Sequence, residues 1–268
     1  MPFRLLHDAL LDYRGETPFN DILRPWLATH ASEVDWLRSF GQKANRLIPA
    51  ATSEDLWRLY AASRVIELLA LRFQPGPAEG NDWPEPAISA DEFERFASAL
   101  GLDVVQPSRY SSFHHEIVDL VRSGTGVQPV RVLHQHWPCL MLGTLLFLRA
   151  GVTVSAGTRV LAPGIADKSK LYWTYHRKTR PHEDLAHGWG HNSSWRTAFR
   201  RDYLLDGTFH FNVDGRDDLS EVVAGELDEY GLTLEERKEL VANRCFVVTT
   251  KDGSDLFPYD DRLSVKAE

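Results

Sequence analysis

The stretch FHHEIVDLVRSGTGVQPVRVLHQHW, residues 113–137, decides how the chain is read. Residues 113–122 and 130–137 are short runs rich in β-branched and aromatic residues, joined by the turn-rich SGTGVQP, so both are predicted strands. Side chains alternate along a strand, which places His114 and Glu116 on one face and His115, Ile117 and Asp119 on the other. His134 and His136 likewise share a face. Paired as a hairpin, the two strands would set a His-x-Glu against a His-x-His, with cross-strand Cβ atoms about 4.5–5.5 Å apart. That set suits one divalent ion, zinc or iron, with an open position for water. His114, His134 and His136 are therefore the candidate metal ligands, and Glu116 a candidate catalytic residue beside them. The plainer reading is that these histidines only hydrogen-bond within half-buried strands. A slip of one residue would turn a face over, and no HExxH motif is present.

Upstream of Gly101 the apolar period is helical. Within 55–73, residues 56, 59, 60, 65, 66, 69 and 73 form a wide apolar face, and Thr52 with Asp55 supplies a capping-box start. Ser89 with Glu92 opens another helix through Phe93, Phe96 and Leu100, which Gly101 stops. Weaker helical patterns cover 2–13 and 32–48. Between the strong helices, QPGPAEGNDWPEPA (74–87) is a turn-rich loop or linker, because each proline fixes φ and lacks a donor.

Downstream, 139–150 reads equally as a buried strand or a short helix. Further strands are expected at 152–155, 159–162, 209–213 and 246–250, and a last helix from Thr233, capped with Glu236. The expected class is α+β: a helical N-terminal lobe (1–100) packed on a mainly antiparallel β-rich C-terminal part (101–268), as two domains or one continuous domain.

The densest chemistry lies in LYWTYHRKTRPHEDLAHGWGHNSSWRTAFRRDY, residues 171–203, with four of the eleven histidines and three of the eight tryptophans. His187-Gly-Trp-Gly-His191 reads as a glycine loop holding Trp189 and two imidazoles at a surface, or as a tight turn with Trp189 folded inward. His187 and His191 join Glu116 as candidate catalytic residues. A helix from Ser193 or Ser194 would stack Arg196 and Arg200 one turn apart, with Tyr203 on that side, as a phosphate or carboxylate clamp. Trp189, Arg196, Arg200 and Tyr203 are the candidate substrate-binding residues. The competing reading pairs these arginines with acids of the C-terminal segment.

Charge sharpens this. From residue 214 onward, fifteen acids face seven basic residues, which accounts for the whole formal charge of −8; residues 1–213 balance at twenty-three each. Generic duplex-DNA binding is therefore disfavoured, while a local basic patch survives in 168–201. Two distant cysteines, Cys139 and Cys245, suit reduced thiols in a cytoplasm. The N-terminus meets acids too early for a signal peptide, and no apolar run is long enough for a membrane span. A P-loop, GxGxxG and G-x-S-x-G are all lacking.

Two functional expectations follow. In the first, the chain is a metal-assisted enzyme, a hydrolase or a non-haem oxygenase, acting on a small anionic or phosphorylated ligand with water activated on the ion. In the second, it is a binding or regulatory protein that uses residues 171–203 as an interface to a protein or nucleic-acid partner.

Overall fold

The computed structural model describes residues 1–76, 85–124, 126–175, 177–181, 194–223, 225–251 and 258–267. The expected α+β architecture is present: helices gather in the N-terminal part and mainly antiparallel strands in the C-terminal part. The helices are α1 (Pro2–Asp12), α2 (Arg24–Thr29), α3 (Ala31–Ala44), α4 (Ser53–Ala70), α5 (Ala90–Ala99) and, late in the chain, α6 (Leu234–Asn243). Their starts follow the sequence signals. Thr52 Oγ1 accepts from the Asp55 amide at 3.2 Å while the Asp55 carboxylate accepts from the Thr52 amide at 2.9 Å. Ser89 with Glu92 and Thr233 with Glu236 close the same reciprocal box on α5 and α6. After α5, Gly101 takes φ +85°, the left-handed conformation that ends a helix.

The strands form two sheets. β1 (Asp103–Val105), β4 (Cys139–Leu142), β5 (Leu145–Leu148), β7 (Tyr203–Leu205), β8 (Thr208–Phe211), β9 (Asp217–Asp218) and β10 (Asp261–Lys266) make one, in the order β1-β4-β5-β7-β8-β10-β9. Only its β10–β9 pair is parallel. β2 (His115–Arg122), β6 (Ala150–Ala156) and β3 (Arg131–Trp137) make the other. The ambiguous 139–150 segment is the β4–β5 hairpin followed by the start of β6.

Four expectations are corrected. β2 and β3 do not pair as a hairpin, because β6 lies between them, parallel to β2 and antiparallel to β3. The cause is burial: β6 is apolar along most of its length and needs neighbours on both sides, whereas β3 is exposed over Arg131–His134 and tolerates an edge. Residues 159–162 are a turn closed on Gly157, whose carbonyl accepts from the amides of Val160 and Leu161. Residues 246–250 make no strand, since the Glu239 carboxylate takes the amides of Val247, Val248 and Thr249 that a ladder would use. The helix expected after Ser194 is a single 3-10 turn, Ser194–Arg196. Beyond it the chain is pulled straight by tertiary bonds, beginning with the Phe199 amide to the Leu56 carbonyl at 3.3 Å.

The lobe and the sheets share apolar packing. One cluster runs from Phe3 and Leu6 of α1 through α4 and α5 to Trp137, Leu145, Phe147 and Tyr203 of the β-rich part. A second fills the space between the two sheets, around Phe113, Val152, Val154 and Phe211. No helix among the described residues is long and apolar enough to cross a membrane.

At the lobe–sheet contact the turn between β4 and β5 meets α3 backbone to backbone. Gly143 has φ +60°, and a Cβ there would sit 2.4 Å from the Gly41 carbonyl oxygen. Gly143→Ala combines left-handed strain with overpacking, so a loss of about 2 kcal/mol or more is expected. Urea unfolding measures it; an unchanged midpoint would show that this contact does not constrain the packing.

Candidate functional site

Residues 173–175 and 198–200, from the two sides of the His/Trp/Arg-rich stretch, converge on a cleft of about 430 Å³, counting its open mouth. Its walls come from four places. α4 supplies Tyr60, Ser63, Arg64 and Glu67; β5 supplies Phe147. The flanks supply Trp173, Thr174, Tyr175 and Phe199–Arg200, and Arg244 follows the end of α6.

The cleft is built on one carboxylate. Asp202 is wholly buried and accepts from Arg200 Nε at 2.8 Å, Arg244 Nη2 at 3.0 Å and the Asn212 amide at 2.7 Å. Burial alone would push its carboxyl up; Arg200, Arg244 and Arg149 overcome that and hold it at about 2. The same arginines close α6, whose last carbonyls have no helical partner. Arg200 Nη2 donates to Val241 O at 2.6 Å, and Arg149 donates to Ala242 O at 2.7 Å and Asn243 O at 2.9 Å. Burial and the charge of Arg244 bring Arg149 down to about 9, and burial brings Arg200 down to about 10, so both stay cationic at neutral pH.

Two residues here hold left-handed backbone. Arg244 has φ +61° as the cap of α6, and Trp173 has φ +54°. Non-glycine residues in this region cost of order 1–3 kcal/mol and persist where their surroundings over-determine them. Around Trp173 those surroundings are visible. Arg244 Nη1 donates to the Trp173 carbonyl at 3.1 Å, the Arg200 guanidinium lies 4.2 Å from the indole centre, and Tyr259 meets its ring edge-on.

On the opposite wall, the Arg64 guanidinium lies 3.2 Å from the Tyr175 ring centre and donates to the Tyr60 hydroxyl. Behind Tyr175, its hydroxyl meets His7 Nε2 at 3.1 Å. Burial and the nearby charge of Arg64 lower His7 to about 4, so it is neutral at pH 7. Three residues that line this pocket carry unused polar atoms: among the described residues, Arg200 Nη1, Arg244 Nε and Thr174 Oγ1 are buried without a hydrogen-bond partner.

Of the residues expected from the sequence, Arg200 alone among the described ones lines the cleft. Arg196 is exposed, 5.5 Å from the Trp57 ring, and is not stacked on Arg200. Tyr203 is buried in the apolar core, its hydroxyl accepting from Arg201 at 3.3 Å, and does not bind at the surface. Arg201 itself pairs with Asp214 of the acidic segment at 2.7 and 2.6 Å. His187, Trp189 and His191 lie outside the described residues. Glu116 is buried in a two-pronged ion pair with Arg177, at 2.7 and 2.9 Å. Its carboxyl is held low by Arg177 against the opposing effect of burial, so it is a poor proton acceptor there.

The expected metal set is divided. His114 precedes β2 and packs against Phe113 and Phe209, with Nδ1 2.9 Å from Ser111 Oγ. His134 and His136 lie on β3, across β6 from β2. Among the described residues no group of three or more His, Cys, Asp and Glu side chains is arranged to hold a metal.

Sequence reasoning missed Arg64, Thr174, Asp202 and Arg244. One signal was available: Ser63, Arg64 and Glu67 interrupt an otherwise apolar α4 whose residues Leu59–Ala70 are all buried, and buried polar groups need partners or a purpose. Comparison with family models, curated proteins and solved structures finds no match.

The Asp202 cluster generates a pH prediction. Its carboxyl is depressed from the ordinary 3.8 to about 2, so its stabilisation is complete above about pH 4 and is lost as pH falls towards 2. Urea unfolding from pH 6 to pH 2 should show a decline in that window that Asp202→Asn flattens. At pH 7 the variant should itself lose about 3–5 kcal/mol, because it leaves buried cations unpaired. A variant as stable as the parent at pH 7 would remove Asp202 from the centre of the site.

Proposed function

We propose that this protein recognises a small oxyanion, the phosphate or carboxylate group of a small ligand, in the cleft between α4 and the end of α6. The observation behind this reading is buried positive charge with unused donors. Arg149, Arg200 and Arg244 gather around one shared carboxylate, Asp202, with Glu116 a further and weaker influence on Arg149 alone. The C-terminal carbonyls of α6 offset only about half a charge. Buried charge without a partner is costly, and Arg200 Nη1, Arg244 Nε and Thr174 Oγ1 are what an oxyanion would take up.

This keeps the anionic ligand expected from the sequence and moves its recognition from Arg196 and Tyr203 to Arg64, Thr174 and Arg244, with Arg200 common to both. The described aromatic residues of the 171–203 stretch favour a pocket over an interface, since Tyr172 and Tyr175 are buried and Trp195 packs edge-on against His7. None of the residues lining the cleft comes from β2 or β3. Metal-assisted hydrolysis at the His114, Glu116, His134 and His136 set therefore gains no support from it, and the reading rests on recognition. Both cysteines are buried and free, and burial pushes the Cys139 thiol up to about 12. Such inert thiols fit the reducing cytoplasm proposed as the location.

Thermal unfolding with inorganic phosphate, sulfate or citrate, set against chloride at equal ionic strength, tests the reading. Phosphate or citrate should raise the Tm in proportion to the logarithm of concentration. Thr174→Val, which keeps shape and removes one donor, should weaken binding roughly fivefold, and Arg200→Ala roughly tenfold or more. A Tm indifferent to every oxyanion would overturn the proposal; so would a response that Thr174→Val and Arg200→Ala both leave intact.

A further inference from the structure

A second cavity, separate from the cleft, opens on the apolar cluster between the two sheets. It encloses about 1750 Å³ counting its open mouth, where small-molecule sites need only about 300–1000 Å³. The segment leading into β2 forms one wall with Arg109, Ser111 and His114, and β8 and β10 form another with Phe209, Phe211, Val265 and Lys266. Exposure is graded through it. Arg109, Val265 and Lys266 are exposed, Val130, Val160 and Phe209 are half-buried, and Leu161, Phe211 and Val247 are buried members of the cluster. The cavity therefore runs from a basic rim to an apolar floor.

The charge of the rim stands apart from the rest of the chain. The formal charge of the whole is −8, yet among the described residues no Asp or Glu lines this cavity. Lys266 donates to Thr208 Oγ1 at 3.0 Å, which uses one of its three N–H groups. Among the described residues neither Lys266 nor Arg109 pairs with a carboxylate. Below the rim the polar groups are neutral and already engaged. His114 Nδ1 lies 2.9 Å from Ser111 Oγ, and burial with the nearby charges of His115 and Arg149 lowers its imidazole to about 4, so it is uncharged at pH 7. We propose that this cavity binds an amphiphilic carboxylate, an alkyl chain of medium length ending in one acid group, with its head against Arg109 and Lys266 and its chain along Phe209 towards Phe211 and Leu161. The guanidinium and ammonium groups supply charge-assisted hydrogen bonds to the head, and the chain takes the apolar walls out of water. A bare oxyanion would leave the floor wet, and a neutral hydrocarbon would leave the rim unanswered.

Calorimetric titration of the full chain with sodium decanoate, kept below its micellar concentration, tests this. One saturable site is expected, with octanoate weaker by up to about fourfold for each methylene removed. Decyltrimethylammonium, which carries the same chain and the opposite charge, should not bind. Arg109→Glu together with Lys266→Glu should weaken decanoate about tenfold or more. Both positions are exposed, and a companion melt checks that the variant is folded. Thr174→Val in the cleft should leave decanoate binding unchanged. Absence of saturable decanoate uptake overturns the proposal. So does decyltrimethylammonium binding as tightly as decanoate, or decanoate binding that survives the double reversal, since apolar contact alone would then account for it. Weakening by Thr174→Val overturns it as well, because the carboxylate would then sit in the cleft.

Discussion

Asp202 is the constraint on which the site depends. It is completely buried, and a buried carboxylate is tolerable only when ion pairs and hydrogen bonds take up its lone pairs. The groups that do so come from distant parts of the chain: Arg200 two residues before it, Asn212 at the end of β8, and Arg244 at the cap of α6. One carboxylate thus fixes where α6 ends relative to β7 and β8. Arg200 and Arg149 then use their remaining donors on the last carbonyls of that helix. The cluster specifies geometry more than it adds stability, because desolvating three guanidinium groups offsets most of the attraction they feel.

The same arithmetic explains why the cleft is electropositive. Glu67 lines it and could have neutralised it, but its carboxylate also faces Arg177, 3.7 Å away. Arg177 is gripped on its other side by Glu116, and these two carboxylates raise it above the ordinary arginine range in spite of burial. The negative charge nearest the cleft is therefore shared with a cation behind it. Arg64, on the wall formed by α4, is set against aromatic faces and a phenol, partners that leave its formal charge in place.

Local signals in the chain were legible, and long-range ones were not. Three capping boxes, at Thr52, Ser89 and Thr233, are contained in four residues each and fold as the sequence predicts. The strands at 115–122 and 131–137 were also visible. Which strand stands between them was hidden, because strand order depends on a third segment. The signal lay in β6 itself: AGVTVSA has little polarity to offer an edge, whereas RVLHQHW has a great deal. The false helix after Ser194 failed for the opposite reason. Ser, Trp, Arg, Thr, Ala, Phe and Arg have adequate helical propensity, but propensity is worth only tenths of a kcal/mol per residue, and the chain from Phe199 to Asp202 is committed to tertiary bonds.

The site was half legible on the same grounds. Arg200 stood out because it belongs to a dense local cluster, while Arg244 arrives singly from a segment that looks ordinary alone and Arg64 is marked only by the polar interruption of α4. Arg200 and Arg244 meet at Trp173. Its φ of +54° is a conformation that a tryptophan adopts only under constraint. The constraints are the bond from Arg244 to its carbonyl and the Arg200 guanidinium against its indole. Trp173 thus takes contacts from two guanidinium groups that line the cleft and keep spare donors. An anion drawing Arg200 or Arg244 inward would alter what holds Trp173, and the backbone there would be the first element free to respond. Under the proposed reading, recognition would be coupled through that one strained residue to the segment 171–175, and the backbone of Trp173 would be the place where binding is communicated to the adjoining chain.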